Sequence, residues 1–460
     1  MQSTLICFNC KYHKIDNKRS QAGDHMVNII SSFKDLRTKF DRQVWLLFAG
    51  MIINVLGTSL VMPFLSIYMY EKMNISMTEI GIAFFIATVM GAISAYIGGA
   101  LCDRYGRKRL FMIGLIFQIL AYLLISVSID FKVSYIGMVM VLTVAFFIDG
   151  LYRSVPEVMV ADVVPPGDRV EAYGLLRIGA NLGWVIGPML GGALALFAMS
   201  YSSMFYVTAF TTFVYLLLVV FMLRDTKPSS SDSRLSFSDV KRIVRDTPFL
   251  LFCIISLLIV IPYSQMYSLL SVYSSAYIGM TEFEIGLFFS LSGIMVATMQ
   301  YPLSLVVKRY RMTMALALCC VVFALGFGIL ALAKINLLVY FSVAIITVAE
   351  MIWSPASATL QANMSPEDRR GRYFGFSGLV FTMGFAIGPL FGGVLKDSFE
   401  YNTQYMWLAI SGIFIVGLLL FMGLNRYIPK DKNVAMVAVK DEEAVIKEKG
   451  IPQIEVPKAE

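Results

Sequence analysis

Five charged residues lie within stretches of this 460-residue chain that are otherwise apolar. They are Asp149, Arg153, Glu157, Arg177 and Glu350. A charge at the centre of a bilayer costs about 3 kcal/mol on insertion scales, so a charge retained there usually pairs with another or takes part in transport. A buried carboxyl group can also carry a proton, because burial favours its neutral form. These residues therefore offer two kinds of chemistry, proton transfer and buried ion pairing.

The spacing of the five residues suggests different roles for them. Asp149, Arg153 and Glu157 follow one another at intervals of four, which places them on one face of a helix. Arg153 then lies beside both carboxylates and is expected to keep them ionised. Glu350 has no cation within two turns of its own helix, so we predict that it carries the proton. The alternative is a structural ion-pair cluster closing the cytoplasmic end, because Asp149 lies about 24 Å along its apolar stretch at 1.5 Å per residue.

The composition identifies the elements that must position these charges. Apolar residues make up 58% of the chain and charged residues 15%, and the mean hydropathy is +0.72. Soluble domains average about 45–50% apolar and about 25% charged residues, so a soluble globular protein is excluded. A helix crosses the hydrocarbon in about 20 residues. Twelve apolar stretches, here numbered spans 1 to 12, begin near Val44, Ile80, Leu110, Val133, Tyr173, Met204, Phe249, Ile285, Met312, Leu337, Phe374 and Met406. We predict an all-α membrane protein with twelve transmembrane helices.

The basic residues indicate how the spans are oriented. If both termini lie on one side, 32 of the 38 Lys and Arg residues lie there and 4 on the other side. Positively charged segments that flank spans stay in the cytoplasm. We therefore predict a multi-pass protein of the plasma (cell inner) membrane with both termini cytoplasmic. The net charge of +7 is explained by this topology and does not indicate a nucleic-acid partner.

A pattern of glycine and proline occurs twice, with an offset of 201 residues. Span 5 contains Gly174, Gly183, Gly187, Pro188, Gly191 and Gly192. Span 11 contains Gly375, Gly384, Gly388, Pro389, Gly392 and Gly393. The same offset relates Asp149 to Glu350. We predict two pseudo-symmetric halves of six helices each, related by an axis along the membrane normal, as in some transporters.

The halves divide the chain into five predicted segments. These are a cytoplasmic tail, a first bundle, a cytoplasmic linker, a second bundle and a second cytoplasmic tail, at residues 1–43, 44–224, 225–246, 247–425 and 426–460. In the first tail, Ile29, Phe33, Leu36 and Phe40 recur at helical spacing. This pattern predicts a short amphipathic helix that lies on the membrane surface.

The glycines of spans 5 and 11 have two interpretations. Gly183, Gly187 and Gly191 are one turn apart and present a smooth stripe, and small residues allow helices to pack closely in lipid. One interpretation is that the stripe serves helix packing alone. The other is that the stripe is also a seam along which the two halves rock against each other, and both interpretations can be true together.

The loop between spans 2 and 3 reads G-A-L-C-D-R-Y-G-R-K from Gly99 to Lys108. It resembles the loop motif G-x-x-x-D-R-x-G-R-[RK] of the major facilitator superfamily, and the resemblance covers roughly residues 44–425. The resemblance implies a secondary transporter that works by alternating access, and a latch between this loop and an acidic residue at the end of span 4. The residues assigned to the latch are Gly99, Asp103, Arg104, Gly106, Arg107, Lys108 and Asp162. The hypothesis is that Asp103, Arg107 and Asp162 pair in one state and separate in the other.

The run from Gly174 to Gly192 resembles the antiporter motif of drug/proton exporters in the same family. This resemblance implies export in exchange for protons. Its copy in span 11 favours an architectural role, and the span-4 arginine of such exporters corresponds to Phe146 here. Import of a nutrient by symport or uniport is therefore the alternative, and a non-transporting membrane sensor is a remote one.

The substrate site is expected near the midplane, between the halves and on spans 1, 4, 7 and 10. Its candidate residues are Asn54, Tyr263, Gln265, Tyr267 and Trp353. With 28 Met and 34 Phe in the chain, we predict an apolar cavity and a lipophilic small-molecule substrate.

Further expectations concern chemistry and partners. An enzyme is not expected, and neither is a cofactor. Cys7, Cys10 and His13 offer three possible ligands, whereas structural zinc takes four, so we expect no metal. We expect a monomer in a lipid bilayer.

Overall fold

The computed structural model describes residues 39–165, 168–197, 200–226, 242–366, 369–399, 402–429 and 431–433. The amphipathic stretch predicted in the first tail lies outside these residues apart from Phe40. Most of the linker and the second tail from residue 434 also lie outside them, as does the side chain of Asp103.

In the described part of the chain, twelve helices are long and apolar enough to cross a membrane, which confirms the predicted fold class. The first half contains helices Arg42–Ile67, Met77–Tyr105, Arg107–Asp130, Tyr135–Tyr152 with Val155–Val163, Arg169–Leu196 and Tyr201–Met222. The second half contains helices Thr247–Tyr263 with Leu269–Tyr273, Glu282–Val307, Met312–Leu330, Asn336–Met364, Arg370–Ser398 and Thr403–Leu424. The described residues contain no β-strand.

Spans 1, 4 and 7 are not continuous α-helices. Span 1 ends in a π-helical turn, Tyr68–Lys72. Span 4 is interrupted after Tyr152, and its second helix begins with Pro156 in the first turn, where the missing N–H costs nothing. Span 7 contains a 3₁₀ turn, Ser264–Met266, which begins two residues after Pro262. Such breaks are found in transporters where the backbone lines a binding site.

The two halves begin their second helix in the same way. Span 2 starts with a capping box in which Ser76 and Glu79 each bond the other's backbone N–H. Span 8 starts with the equivalent box of Thr281 and Glu284. A capping box satisfies two backbone donors that a helix start leaves unpaired. The pseudo-symmetry predicted from the glycine pattern therefore extends to helix starts with different sequences.

The glycine stripes of spans 5 and 11 pack against the first helix of their own half. A Cβ on Gly187 would collide with Ser59 Oγ of span 1, and one on Gly388 would collide with Ser264 Oγ of span 7. Ser59 Oγ also donates to the carbonyl oxygen of Gly183 at 3.0 Å. These glycines allow backbone contact that no larger residue permits.

The glycine that directly follows each stripe, Gly192 in span 5 and Gly393 in span 11, faces the other half. Gly192 packs against the backbone of Glu282 at the start of span 8, and Gly393 packs against the backbone of Met77 at the start of span 2. Across the same two seams, Gly286 meets the carbonyl oxygen of Pro188 and Gly81 meets the backbone of Leu390. The halves therefore touch along two related seams, between spans 5 and 8 and between spans 2 and 11.

Candidate substrate cavity

A cavity of about 870 Å³ opens inside the protein, and its walls come from spans 1, 3, 4, 5 and 6. Among the described residues, Phe374 is the contribution of the second half to its lining. Met51, Val55 and Met62 form an apolar stripe along span 1, and Phe146 faces them from span 4. The cavity thus lies within the first half and has a large apolar wall.

A second wall of the same cavity is polar. We call it the polar wall; it consists of Asn54, Gln118, Tyr122, Tyr152 and Tyr215. Within the described part of the chain, the side-chain oxygens of Asn54, Gln118, Tyr152 and Tyr215 have no hydrogen-bond partner. The four residues other than Asn54 are at most 3% exposed. Of this wall, Asn54 is the residue that was predicted from the sequence.

Asp149 and Arg153 form an ion pair at the edge of the polar wall. Arg153 Nε donates to Asp149 Oδ2 at 2.8 Å, and Asp149 is 19% exposed against 66% for Arg153. Glu157 also lines the cavity but has no ion-pair partner among the described residues. The helix break after Tyr152 interrupts the common face expected for the three charges, and Arg153 is paired with the carboxylate that precedes the break.

Arg177 and Glu350 lie in opposite halves but meet at the level of the cavity. Arg177 lines the cavity from span 5, and its Nη2 donates to Ser354 Oγ of span 10 at 3.2 Å. Glu350 precedes Ser354 by one turn, is half-buried, and interacts electrostatically with Arg177 and with the Tyr263 hydroxyl. The cation that is absent from its own helix therefore has a counterpart in the other half, close enough to interact with the charge of Glu350. No spacing in the sequence could reveal this contact, because 173 residues separate the two positions.

The candidate residues of spans 7 and 10 occupy a filled interior. The hydroxyls of Tyr263 and Tyr267 lie 3.1 Å apart, and their rings pack on Phe385 at 6.1 and 5.8 Å between centroids. Trp184, which lines the cavity, packs on Tyr267 at 5.4 Å. Tyr263 and Tyr267 thus form a layer behind the cavity wall.

Gln265 and Trp353 have packing contacts. Gln265 is fully buried, and its Nε2 donates to the carbonyl oxygen of Gly388 at 2.8 Å, which ties span 7 to span 11. Trp353 packs edge-on against Phe421 of span 12 at 6.0 Å. Of the five candidate residues, Asn54 is the one that lines the described cavity.

The loop between spans 2 and 3 lies against the ends of spans 4 and 6. Arg107 Nε and Asp162 Oδ2 are 3.1 Å apart, with side chains 4% and 3% exposed. The turn itself requires Gly106, whose φ of 91° other residues rarely adopt. The Asp103 side chain, the third member of the predicted latch, lies outside the described residues.

The same loop has partners that the motif did not predict. Thr226 Oγ1 donates to Asp162 Oδ2 at 2.7 Å, and the backbone N–H of Lys108 donates to Asp225 Oδ1 at 3.0 Å. Arg104 stacks over the ring of Tyr105, and Gly99 has no neighbour where a Cβ would stand. Asp225 and Thr226 lie three and four residues after the end of span 6, so these contacts all stay within the first half.

We call the side on which span 1 begins and the even-numbered spans end the basic face. Lys39 lies there, 2.9 Å from Asp168 and 2.7 Å from Glu171. Hydrogen bonds to these two carboxylates raise the pKa of Lys39 above its ordinary value. The cavity extends to this face, where the exposed Glu157 and Tyr173 line it.

At the opposite face, polar contacts join the two halves. Asp397 Oδ2 of span 11 accepts from the backbone N–H of Thr78 at 2.8 Å, at the start of span 2. Lys396 Nζ donates to the hydroxyl of Tyr70 at 2.7 Å. Tyr201 donates to Glu282 Oε1 at 2.7 Å. These contacts and the glycine seams close the protein on this side, so the described structure opens its cavity towards the basic face.

Comparisons with known proteins agree with this architecture. The family model described as Major Facilitator Superfamily matches residues 47–366 and 349–448. The chain is 26% identical to the MFS-type transporter YttB of Bacillus subtilis, over 82% of this chain and 94% of YttB. It is 24% identical to Multidrug resistance protein 2 of the same organism, over 85% of this chain and 96% of that protein. The crystal structure of a mutant of the nucleoside transporter NupG has the same fold, with a TM-score of 0.70 at 14% identity, over 83% of this chain and 100% of that chain.

Proposed function

The chain belongs to the Major Facilitator Superfamily, and we propose that it exports lipophilic drugs or metabolites across the plasma membrane in exchange for protons. The observation that carries this proposal is the cavity: it has a large apolar wall, extends to the basic face, and is closed at the opposite face. The multidrug resistance protein among the relatives supports a lipophilic substrate. No cofactor is needed, because an ion gradient supplies the energy.

The basic face is assigned to the cytoplasm because positively charged segments flanking spans stay there. In this orientation the cavity admits substrate from the cytoplasm, as an exporter requires. Both termini are then cytoplasmic, and the protein works as a monomer within the bilayer.

Transport requires a second state in which the cavity opens to the other side. The two glycine seams are suited to this movement, because their backbone contacts lack side chains that interlock. In the second state the contacts of Asp397 and Lys396 break, and the halves close around Glu157 and Tyr173. Substrate and protons shift the balance between the two states according to their different affinities for each.

Glu350 is the proposed proton carrier, and its surroundings suggest how the proton acts. An ionised Glu350 attracts Arg177 across the gap between the halves, next to the hydrogen bond of Arg177 to Ser354. A protonated Glu350 loses this attraction. The ionised form therefore stabilises the described arrangement, as expected for an exchanger that releases its proton to the cytoplasm before it takes up substrate.

The proposal is tested with purified protein in liposomes that enclose a pH-sensitive dye, by adding a panel of lipophilic cations and neutral drugs. We expect substrate-evoked proton movement opposite to substrate movement, and its loss in Glu350→Gln. The matched control is Asp130→Asn, since Asp130 accepts from Tyr206 at the opposite face and does not line the cavity.

Other outcomes overturn the proposal in distinct ways. Proton movement in the same direction as substrate would establish symport and favour import. Saturable binding without flux would indicate a sensor. An intact response in Glu350→Gln would remove Glu350 from proton transfer and leave the cavity acids Asp149 and Glu157 as the remaining candidates.

A further inference from the structure

The polar wall of the cavity contains more hydrogen-bonding capacity than the protein itself uses. Gln118 and Asn54 each have an amide oxygen without a partner in the described structure, and Tyr152 and Tyr215 each have a hydroxyl without one. Gln118, Tyr152 and Tyr215 are 2%, 2% and 1% exposed. Buried polar atoms are normally paired, and leaving one unpaired costs free energy. Four such atoms on one cavity wall point to a partner that comes from outside the chain.

Three of these groups, on spans 3, 4 and 6, converge on one place, and Asn54 lines the same cavity from span 1. Phe111 touches the rings of both Tyr152 and Tyr215, with centroids 5.8 and 5.3 Å apart. Tyr152 also interacts electrostatically with Tyr122 and Asp149. Gly114 and Gly50 leave the room that the rings of Tyr152 and Tyr215 occupy, since a Cβ at either glycine would collide with them. The packing thus holds the hydroxyls in fixed positions.

From this wall we infer that the cavity binds the polar end of an amphipathic molecule, and that this end is an uncharged hydroxyl or amide N–H group. The inference rests on the proposed transport function and states which lipophilic substrates it takes. The two unpaired amide oxygens accept hydrogen bonds but cannot donate them through that atom, so the ligand must supply the hydrogen. The apolar stripe of Met51, Val55 and Met62 lines the same cavity and contacts the rest of the molecule.

The charges beside the wall decide against a cationic head group. Asp149 is the carboxylate that interacts with Tyr152 of the wall, and Arg153 already pairs with it. Glu157, which has no ion-pair partner in the described part of the chain, lines the exposed end of the cavity at the basic face rather than the buried polar wall. A ligand cation would have to replace Arg153 to bind Asp149. A neutral donor needs no such exchange to pair with the free oxygens. A site that offers hydrogen bonds rejects an analogue that lacks the donor, because its own polar groups are then left unpaired.

The test uses three dansyl probes of similar size and measures binding to the full-length protein in lipid nanodiscs. The first is N-methyl-N-(2-hydroxyethyl)dansylamide, the second is its O-methyl ether, and the third has a 2-aminoethyl group in place of the hydroxyethyl group. Energy transfer from tryptophan reports binding, since Trp184 lines the cavity. We expect the alcohol to bind about ten times more tightly than the ether, the ratio that one lost hydrogen bond of about 1.4 kcal/mol produces.

Variants of the polar wall show whether it causes the preference. The double variant Gln118→Leu with Tyr152→Phe should reduce the alcohol-to-ether ratio to below about threefold. The control is Tyr273→Phe, which removes another buried hydroxyl, bonded to the Leu330 carbonyl oxygen outside the cavity, and should keep the tenfold ratio. In addition, Tyr152→Phe alone should not lower the melting temperature without ligand, because the hydroxyl it removes has no partner to lose.

Four results would each overturn the inference: equal affinities for alcohol and ether, a ratio unchanged in the double variant, tightest binding of the amine, or no binding of any probe. The experiment involves no proton gradient. A preference for the alcohol that persists when the liposome assay shows no proton movement would therefore retain the polar site and reject proton-coupled export.

Discussion

The two halves of this protein have the same helical scaffold, but one is hollow and the other is filled. Ser59 and Ser264 occupy equivalent places, since each lies against the central glycine of its neighbouring stripe. Counting from them, Thr58 corresponds to Tyr263 and Met62 to Tyr267. The smaller pair lines the cavity, whereas the tyrosines pack among Phe385, Phe289 and Trp184. The helical scaffold is the same in both halves, so the volume of the side chains decides which half contains the cavity.

The buried charges differ between the halves in the same way. Asp149 and Glu350 are equivalent positions, as are Arg153 and Ser354. In the first half the acid is paired by Arg153 on its own helix. In the second half the arginine is replaced by Ser354, and Arg177 from the other half donates to that serine. Loss of one local cation thus converts an ion pair within a helix into a contact between the halves.

The largest predicted effect is a loss of stability in the motif loop of the first half that the corresponding loop of the second half does not show. Arg107→Met removes the guanidinium that pairs with the buried Asp162 at 3.1 Å, and breaking a buried ion pair costs about 3–5 kcal/mol. Arg309→Met, at an exposed position of the corresponding loop, should change stability by less than about 1 kcal/mol. Thermal unfolding of both variants in detergent measures the difference. Equal losses would show that the buried pair adds nothing beyond a surface charge.

The next prediction tests whether the glycine stripes are equivalent in the two halves. Gly187→Val and Gly388→Val each force a side chain into the first helix of their own half, and overpacking of this kind costs about 1–3 kcal/mol. Gly174→Ala, where a Cβ meets nothing within 4 Å, should leave stability unchanged or slightly raised. Melting temperatures compare the three. If only one valine variant is destabilised, the pseudo-symmetry does not extend to packing energy.

A third prediction concerns a variant in which the cavity of the first half is filled with the larger side chains that the second half has at the equivalent positions. The double variant Thr58→Tyr with Met62→Tyr should fold, because the cavity has room for the rings. It should transport substrate at least about ten times more slowly, which corresponds to a free-energy difference of about 1.4 kcal/mol. Thr298→Tyr, at an exposed position of span 8, is the size-matched control and should transport normally. Normal flux through the filled variant would place the substrate elsewhere.

The smallest predicted effect concerns the closed face. Asp397→Asn weakens the bonds to the backbone N–H groups of Met77 and Thr78 at the positive end of span 2. A charged cap at a helix start contributes about 1 kcal/mol, so the population open at this face should rise about fivefold. Spin-label distances across that face measure the shift, with Asp130→Asn as the control that stays within one half. An unchanged distance distribution would show that the glycine seams alone hold the face closed.

Much of the fold could be predicted from the sequence, and the site only in part. Periodic apolar stretches and matched glycines depend on neighbours along one helix, so twelve spans and two halves followed directly from them. The association of Arg107 with Asp162 was predicted from a motif, whereas Asp225 and Thr226 were not, because no motif marks them. Tyr263, Gln265, Tyr267 and Trp353 have the residue types of a binding site, but the structure gives them packing roles.

Twelve spans and a duplicated scaffold are predictable from the amino-acid sequence, because apolar length and glycine spacing are properties of each helix alone. Helix packing established which half contains the cavity, that Arg177 reaches Ser354, and that Gln118, Tyr152 and Tyr215 share one wall. The physical reason is that these depend on the volume and polarity of side chains that meet across helices. Residues of spans 1, 3, 4 and 6 become neighbours only when the bundle packs.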